Sequence, residues 1–112
     1  MLASSYRLPG NKLNRVEALG ELFQSESFGA FVLRNGTTDT PKFGFVISNK
    51  VSKDAVQRNM IKRAFSEGVR HSLYLLKEGI EVVFLAKSSV ARKSTEEIMR
   101  EVKKFLSENL FK

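Results

Sequence analysis

The sequence contains no cysteine, and it contains no run of apolar residues long enough to span a bilayer. Without cysteine the chain has no disulfides, no thiolate metal ligands and no cysteine nucleophile, which fits a reducing compartment. A spanning helix needs about 20 consecutive apolar residues, and the first nine residues lack the apolar core of a signal peptide. We therefore expect a cytoplasmic protein.

Side chains suited to hydrolytic chemistry are also scarce. A protein nuclease needs clustered carboxylates for metal ions or an acid–base site built on histidine. The chain has two aspartates, Asp39 and Asp54, in separate predicted loops, and His71 is its single histidine. It has no Walker loop, dinucleotide-binding fingerprint or zinc spacing. We expect His71 to be structural and the protein on its own to be non-catalytic.

The composition is that of one globular domain with an excess of positive charge. Of 112 residues, 42% are hydrophobic and 28% charged, close to globular averages, and no repeat or linker divides them. We therefore expect residues 1–112 to form a single domain. Nineteen Lys and Arg against twelve Asp and Glu give a net charge of +7. An anionic partner is indicated, nucleic acid first and an acidic membrane surface or acidic protein second.

The hydrophobic periodicity predicts an α+β fold with elements in the order αββαβα. Strands are predicted over residues 28–33, 43–48 and 80–86, because these runs are short, aromatic and β-branched. The third run is apolar throughout, as in a strand covered on both faces. A first short helix is predicted between Asn11, as its N-cap, and Gly20.

Two further helices are predicted from capping signals. Asp54 with Gln57 resembles a capping box for a helix over residues 55–77 that Gly79 would stop. Ser94 with Glu97 is a second box. The last helix then carries one buried stripe formed by Ile98, Val102, Phe105, Leu106 and Leu110.

The second predicted helix and the loop before it concentrate the positive charge. Residues 50–70 contain six Lys or Arg against Asp54 and Glu67, a net of +4 within the chain's +7. At about 100° per residue, the apolar positions share one side of the helix. The basic and polar positions share another, namely Asn59, Lys62, Arg63, Ser66 and Arg70. A solvated helix face is the alternative, and a pair between Glu67 and Arg63 would weaken Arg63 as a binding residue.

The order and spacing of the residues in this region resemble those of a known family. Gly44-Phe45-Val46-Ile47-Ser48, Lys50-Val51, Ala55-Val56, Arg58-Asn59 and Ile61-Lys62-Arg63 are similar to the signature of the bacterial ribonuclease P protein, which is centred on an Arg-Asn-Arg box. The resemblance implies an α/β sandwich like the second domain of ribosomal protein S5, with a left-handed βαβ crossover. It implies a protein subunit whose partner is the catalytic RNA. That RNA, with magnesium ions, would perform 5′ maturation of precursor tRNA.

The resemblance also implies two sets of site residues. Those for the catalytic RNA are Ser48, Lys50, Lys53, Arg58, Asn59, Lys62, Arg63 and Arg70. Those for a cleft that receives the single-stranded 5′ leader of precursor tRNA are Leu13, Phe28 and Phe31, with core packing as the alternative for both phenylalanines. The chain departs from the family at Met60, where the box has its final Arg, and at Ser66, where many relatives have Arg. These departures imply a sparser basic surface.

Two other functions remain open at this point. One is a different RNA-binding module of the same architecture, such as a ribosome-associated protein, which would not prefer precursor tRNA over mature tRNA. The other is a module that binds acidic proteins, whose complexes would survive nuclease treatment.

Overall fold

The computed structural model describes residues 2–110, which form three α-helices and four β-strands around one sheet. The elements in chain order are α1 (Leu13–Leu19), β1 (Glu21–Gln24), β2 (Phe28–Arg34), β3 (Lys42–Val46), α2 (Ala55–Arg70), β4 (Ile80–Ala86) and α3 (Thr95–Asn109). Within this range no helix combines the length and the apolar character needed to cross a membrane.

The sheet has the strand order β1-β2-β4-β3. β2 runs antiparallel to both β1 and β4, whereas β3 runs parallel to β4. β4 lies between two other strands, and its Val82, Val83 and Phe84 are all fully buried, which confirms the prediction from its apolar sequence. β3, α2 and β4 form a βαβ unit between neighbouring strands, and the left hand of its crossover stays a prediction.

The two faces of the sheet are covered by different helices. Side chains alternate along a strand, so Phe28, Ala30 and Val32 of β2 point to the face where α2 and α3 pack. Phe31 and Leu33 point to the other face, where α1 places Leu13 and Val16. The fold is therefore a sandwich of α1, the sheet, and the α2–α3 layer.

Gly44 in β3 allows α1 to lie close to the sheet. A Cβ atom at this position would stand 2.4 Å from Leu13 Cδ2, inside van der Waals contact. Leu13 therefore rests directly on the backbone of β3, and this contact anchors the beginning of α1.

The observed order is αβββαβα, so the predicted order lacked one strand. β1 has only four residues, with Glu21 and Gln24 at its ends, and such a short segment carries little periodicity. Its pairing with β2 is what defines it as a strand. β3 also ends at Val46 and not at Ser48.

The second helix is shorter than predicted. α2 ends at Arg70, and a 3₁₀ turn at Leu73–Leu75 follows. The predicted end near Lys77 was wrong because the apolar residues after Arg70 do not continue a helical stripe: Tyr74 and Leu75 are exposed, and Leu76 is buried after the turn. Gly79, with φ +68°, lies directly before β4.

The capping predictions had different outcomes. Ser94 and Glu97 form the predicted capping box of α3. Asp54 caps α2 by accepting from the N–H of Val56 at 2.9 Å. Gln57 does not complete a box, because its Nε2 donates to the Ala91 carbonyl. Asn11 is not the N-cap of α1, because that helix begins at Leu13, after a 3₁₀ turn at Gly10–Lys12.

Candidate RNA-binding site

The loop between β3 and α2 carries three of the predicted RNA-binding residues. Ser48, Lys50 and Lys53 are all exposed, whereas Val51 between them is buried in the core. Val51 therefore anchors the loop while its polar neighbours face solvent.

Arg58 connects this loop to the first turn of α2. Its Nη1 donates to the Ser52 carbonyl at 2.8 Å, and the side chain is half-buried. This contact fixes the loop against the helix. The other N–H groups of the guanidinium have no partner among residues 2–110 and remain available to an anion.

The middle of α2 presents the predicted polar face. Asn59, Lys62 and Arg63 are exposed, while Ile61 and Phe65 are buried in the core. None of these three polar side chains has a hydrogen bond or ion pair within the described part of the chain. The separation of apolar and basic sides predicted for this helix is confirmed.

Arg70 at the end of α2 differs from these residues, because it is paired. Its Nη2 donates to Glu67 Oε2 at 2.7 Å, and Nε donates to the same oxygen at 2.9 Å. The hydrogen bonds from Arg70 are the largest cause that lowers the pKa of Glu67 to about 2, so Glu67 is charged at neutral pH. The sequence had left open a pair between Glu67 and Arg63. His71 is exposed beside the Glu67–Arg70 pair.

Ser66 is not part of the exposed face. It is only 4% exposed. It lines a hollow of about 270 Å³ together with Leu8, Leu13, Phe45, Arg7 and Lys62. This hollow joins Leu13 of the predicted leader cleft to Lys62 of the predicted RNA-binding face, so the two predicted surfaces are continuous.

The predicted leader cleft lies on the α1 side of the sheet, but the three residues assigned to it do not all lie on that side. Leu13 and Phe31 are half-buried there. Phe28 is 1% exposed on the opposite face, where its ring packs edge-on against Phe65 and Phe105 at centroid distances of 5.5 and 5.6 Å. The assignment of Phe28 to the cleft is therefore wrong, because residues three apart in a strand point to opposite faces.

The same face of the sheet contains residues that the sequence did not identify. Leu22 of β1 is directly opposite Phe31 in the strand register and is 47% exposed. Val46 and Leu85 are half-buried neighbours in β3 and β4. No sequence pattern pointed to Leu22, because the four residues of β1 read Glu-Leu-Phe-Gln and do not alternate.

A larger hollow, of about 440 Å³, lies between α3 and the β1–β2 turn. Three of its charged side chains make contacts that join α3 and the segment before it to the β1–β2 turn. Glu101 Oε2 accepts from Ser25 Oγ and from the Ser27 N–H, and Lys93 pairs with Glu26. Within residues 2–110, no three His, Cys, Asp or Glu side chains are grouped so that they could hold a metal ion.

Comparison with known proteins identifies the family of this chain and solved structures that share its fold. The model of the family described as Ribonuclease P matches residues 4–109. The ribonuclease P protein component of Rippkaea orientalis is 32% identical over 108 residues, which cover 85% of each chain. That of Pseudanabaena is 29% identical, covering 83% of this chain and 80% of the relative.

Solved structures share the architecture. The RNase P protein of Staphylococcus aureus superposes with a TM-score of 0.86 at 22% identity, covering 97% of this chain and 100% of that one. The Thermotoga maritima RNase P protein gives a TM-score of 0.79 at 21% identity, covering 91% and 96% of the two chains. At these identities the likeness concerns the fold.

Proposed function

Because the chain belongs to the ribonuclease P protein family, we propose that it binds the catalytic RNA through α2 and the loop before it, and the 5′ leader of precursor tRNA through the α1 side of the sheet. Family membership makes it a subunit of the enzyme that processes tRNA 5′ ends. The two binding surfaces are the part that we propose.

The observation that carries this proposal is the continuity of the two surfaces at Lys62 and Leu13. Both side chains line one hollow, with exposed donors on the α2 side and half-buried apolar residues on the α1 side. RNA backbones bind cations, and unpaired bases bind apolar or aromatic surfaces. A single RNA strand that leaves the α2 face therefore meets a surface suited to its bases.

The division of labour follows from the side chains present. The loop and α2 offer hydrogen-bond donors and positive charge, which position phosphates. Within residues 2–110 no three His, Cys, Asp or Glu side chains are grouped so that they could hold a metal ion for hydrolysis. We propose that magnesium ions are held by the RNA, where they would activate the attacking water. The role of the protein is then to bind and orient the substrate.

The decisive experiment is reconstitution with a bacterial ribonuclease P RNA at a magnesium concentration too low for that RNA alone. We expect the protein to restore cleavage at the 5′ end of mature tRNA, measured on labelled precursor tRNA. Lys62→Ala should require more protein for the same rate, whereas Lys104→Ala on α3 is the matched control. A protein that leaves cleavage unchanged, or binds precursor and mature tRNA equally, would contradict the proposed function.

A further inference from the structure

Two methionines face each other across a groove between α2 and α3. Met60 of α2 and Met99 of α3 line a hollow of about 320 Å³, together with Arg63, Ala64, Glu67 and Thr95. Met60 is 50% exposed, although it lies directly after Arg58 and Asn59 on the proposed RNA-binding helix. An exposed apolar side chain inside a basic region suits a ligand that carries negative charge and also presents an apolar surface.

The charges around this groove have a positive balance. Arg63 lines it from α2, and Met99 also borders a second hollow with Glu96, Arg100 and Lys103. The carboxylate of Glu67 is engaged by Arg70. Three cations (Arg63, Arg100 and Lys103) thus line the two hollows against two anions (Glu67 and Glu96). Because Glu67 is already paired with Arg70, the groove favours an anionic partner.

We propose that this groove holds an unpaired base of the RNA whose phosphates bind the exposed face of α2. The inference rests on the proposed function, because it assigns a second kind of contact to the same partner. Thioether sulfurs make favourable contacts with aromatic rings, and RNA recognition commonly uses bases that have left the helical stack. Arg63 would reach the phosphate of the same nucleotide.

A protein helix fits the groove less well. Helix-in-groove binding uses several apolar anchors along the groove. On α2 the large exposed apolar side chains within the described residues are Val56 and Met60, and Val56 does not line the groove. The available apolar surface matches one flat ring and not several turns of helix.

The test compares base-bearing and abasic RNA. Binding of an eight-nucleotide oligoadenylate and of the same backbone with alternate abasic residues would be measured by fluorescence anisotropy. The protein would carry Phe31→Ala, which removes the leader-cleft ring from the comparison. We expect the base-bearing oligonucleotide to bind more tightly, and Met60→Ser to reduce this preference by about two- to tenfold, the strength of a sulfur–aromatic contact.

Three further variants make the result decisive. Met60→Leu keeps an apolar side chain and should retain most of the preference, and Val56→Ser, outside the groove, should retain all of it. Met60→Arg should steepen the salt dependence of binding, because it adds a phosphate contact. A preference that Met60→Ser leaves unchanged would overturn the proposal. The reconstitution assay would still report separately on the proposed function.

Discussion

Phe28 and Phe31 lie three residues apart in β2 and have opposite environments. Phe28 packs among the rings of Phe65, Phe84 and Phe105 on the side closed by two helices. Phe31 is half-buried on the side where α1 and the segment before it pack. The same residue type in the same strand thus serves the core on one face, whereas on the other it is available to a ligand.

Helix length explains the difference between the two faces. At 1.5 Å per residue, the 16 residues of α2 and the 15 of α3 extend about as far as the strands they cover. α1 has seven residues and extends only about 10 Å. The α1 side of the sheet therefore keeps an uncovered apolar surface beside the helix.

The largest effect that we expect is on folding, from a change on the closed side. Phe28→Ala should lower the free energy of unfolding by about 3–5 kcal/mol, because it removes a fully buried ring and leaves a cavity. Phe31→Ala should cost clearly less, since its ring is already partly in solvent. Urea unfolding of both variants measures the difference, and equal losses would mean that the two faces are not distinct.

The next effect is on substrate binding, from a change on the open side. Phe31→Ala should weaken binding of precursor tRNA with a leader by about 1–3 kcal/mol, the value of one stacked base. Mature tRNA should bind as before, and Phe31→Tyr, which keeps the ring, should restore leader binding. The affinities of the reconstituted holoenzyme for both RNAs measure this, and equal weakening for mature tRNA would make Phe31 a structural residue only.

Much of the fold was predictable because its larger elements have long periodic signals. The stripe of α3 and the apolar run of β4 both lie where the sequence placed them. The missing strand β1 depends on a partner, since four residues acquire strand character only by pairing with β2. The end of α2 was placed too late because apolar residues after a helix look like its continuation in the sequence, although here they form a separate 3₁₀ turn.

The site was predictable where a residue's own helix determines its exposure, and less so where a distant segment does. Lys62 and Arg63 are exposed because α2 turns them away from the core. Ser66 is on the same predicted face, but it is buried beside a hollow that Leu8, from the segment before α1, also lines. Spacing along the helix could not decide which arginine pairs with Glu67, because i,i+3 and i,i+4 pairs are both possible. Side-chain geometry selects Arg70.

The smallest effect that we expect distinguishes Lys62, which has no ion pair within residues 2–110, from Arg70, which is paired with Glu67. Lys62→Ala should flatten the slope of log affinity against log salt concentration by about 0.7–0.9, the loss of one phosphate contact. Arg70→Ala should flatten it less, because Glu67 already binds the guanidinium through two hydrogen bonds. Glu67→Gln should then steepen the slope, since the Arg70 guanidinium would lose its carboxylate partner and its charge would become available to the RNA. Binding of the catalytic RNA at several salt concentrations measures all three slopes.

Equal flattening by Lys62→Ala and Arg70→Ala would contradict this difference. It would show that the ion pair between Arg70 and Glu67 opens when RNA binds, so that the two ends of α2 belong to one binding surface.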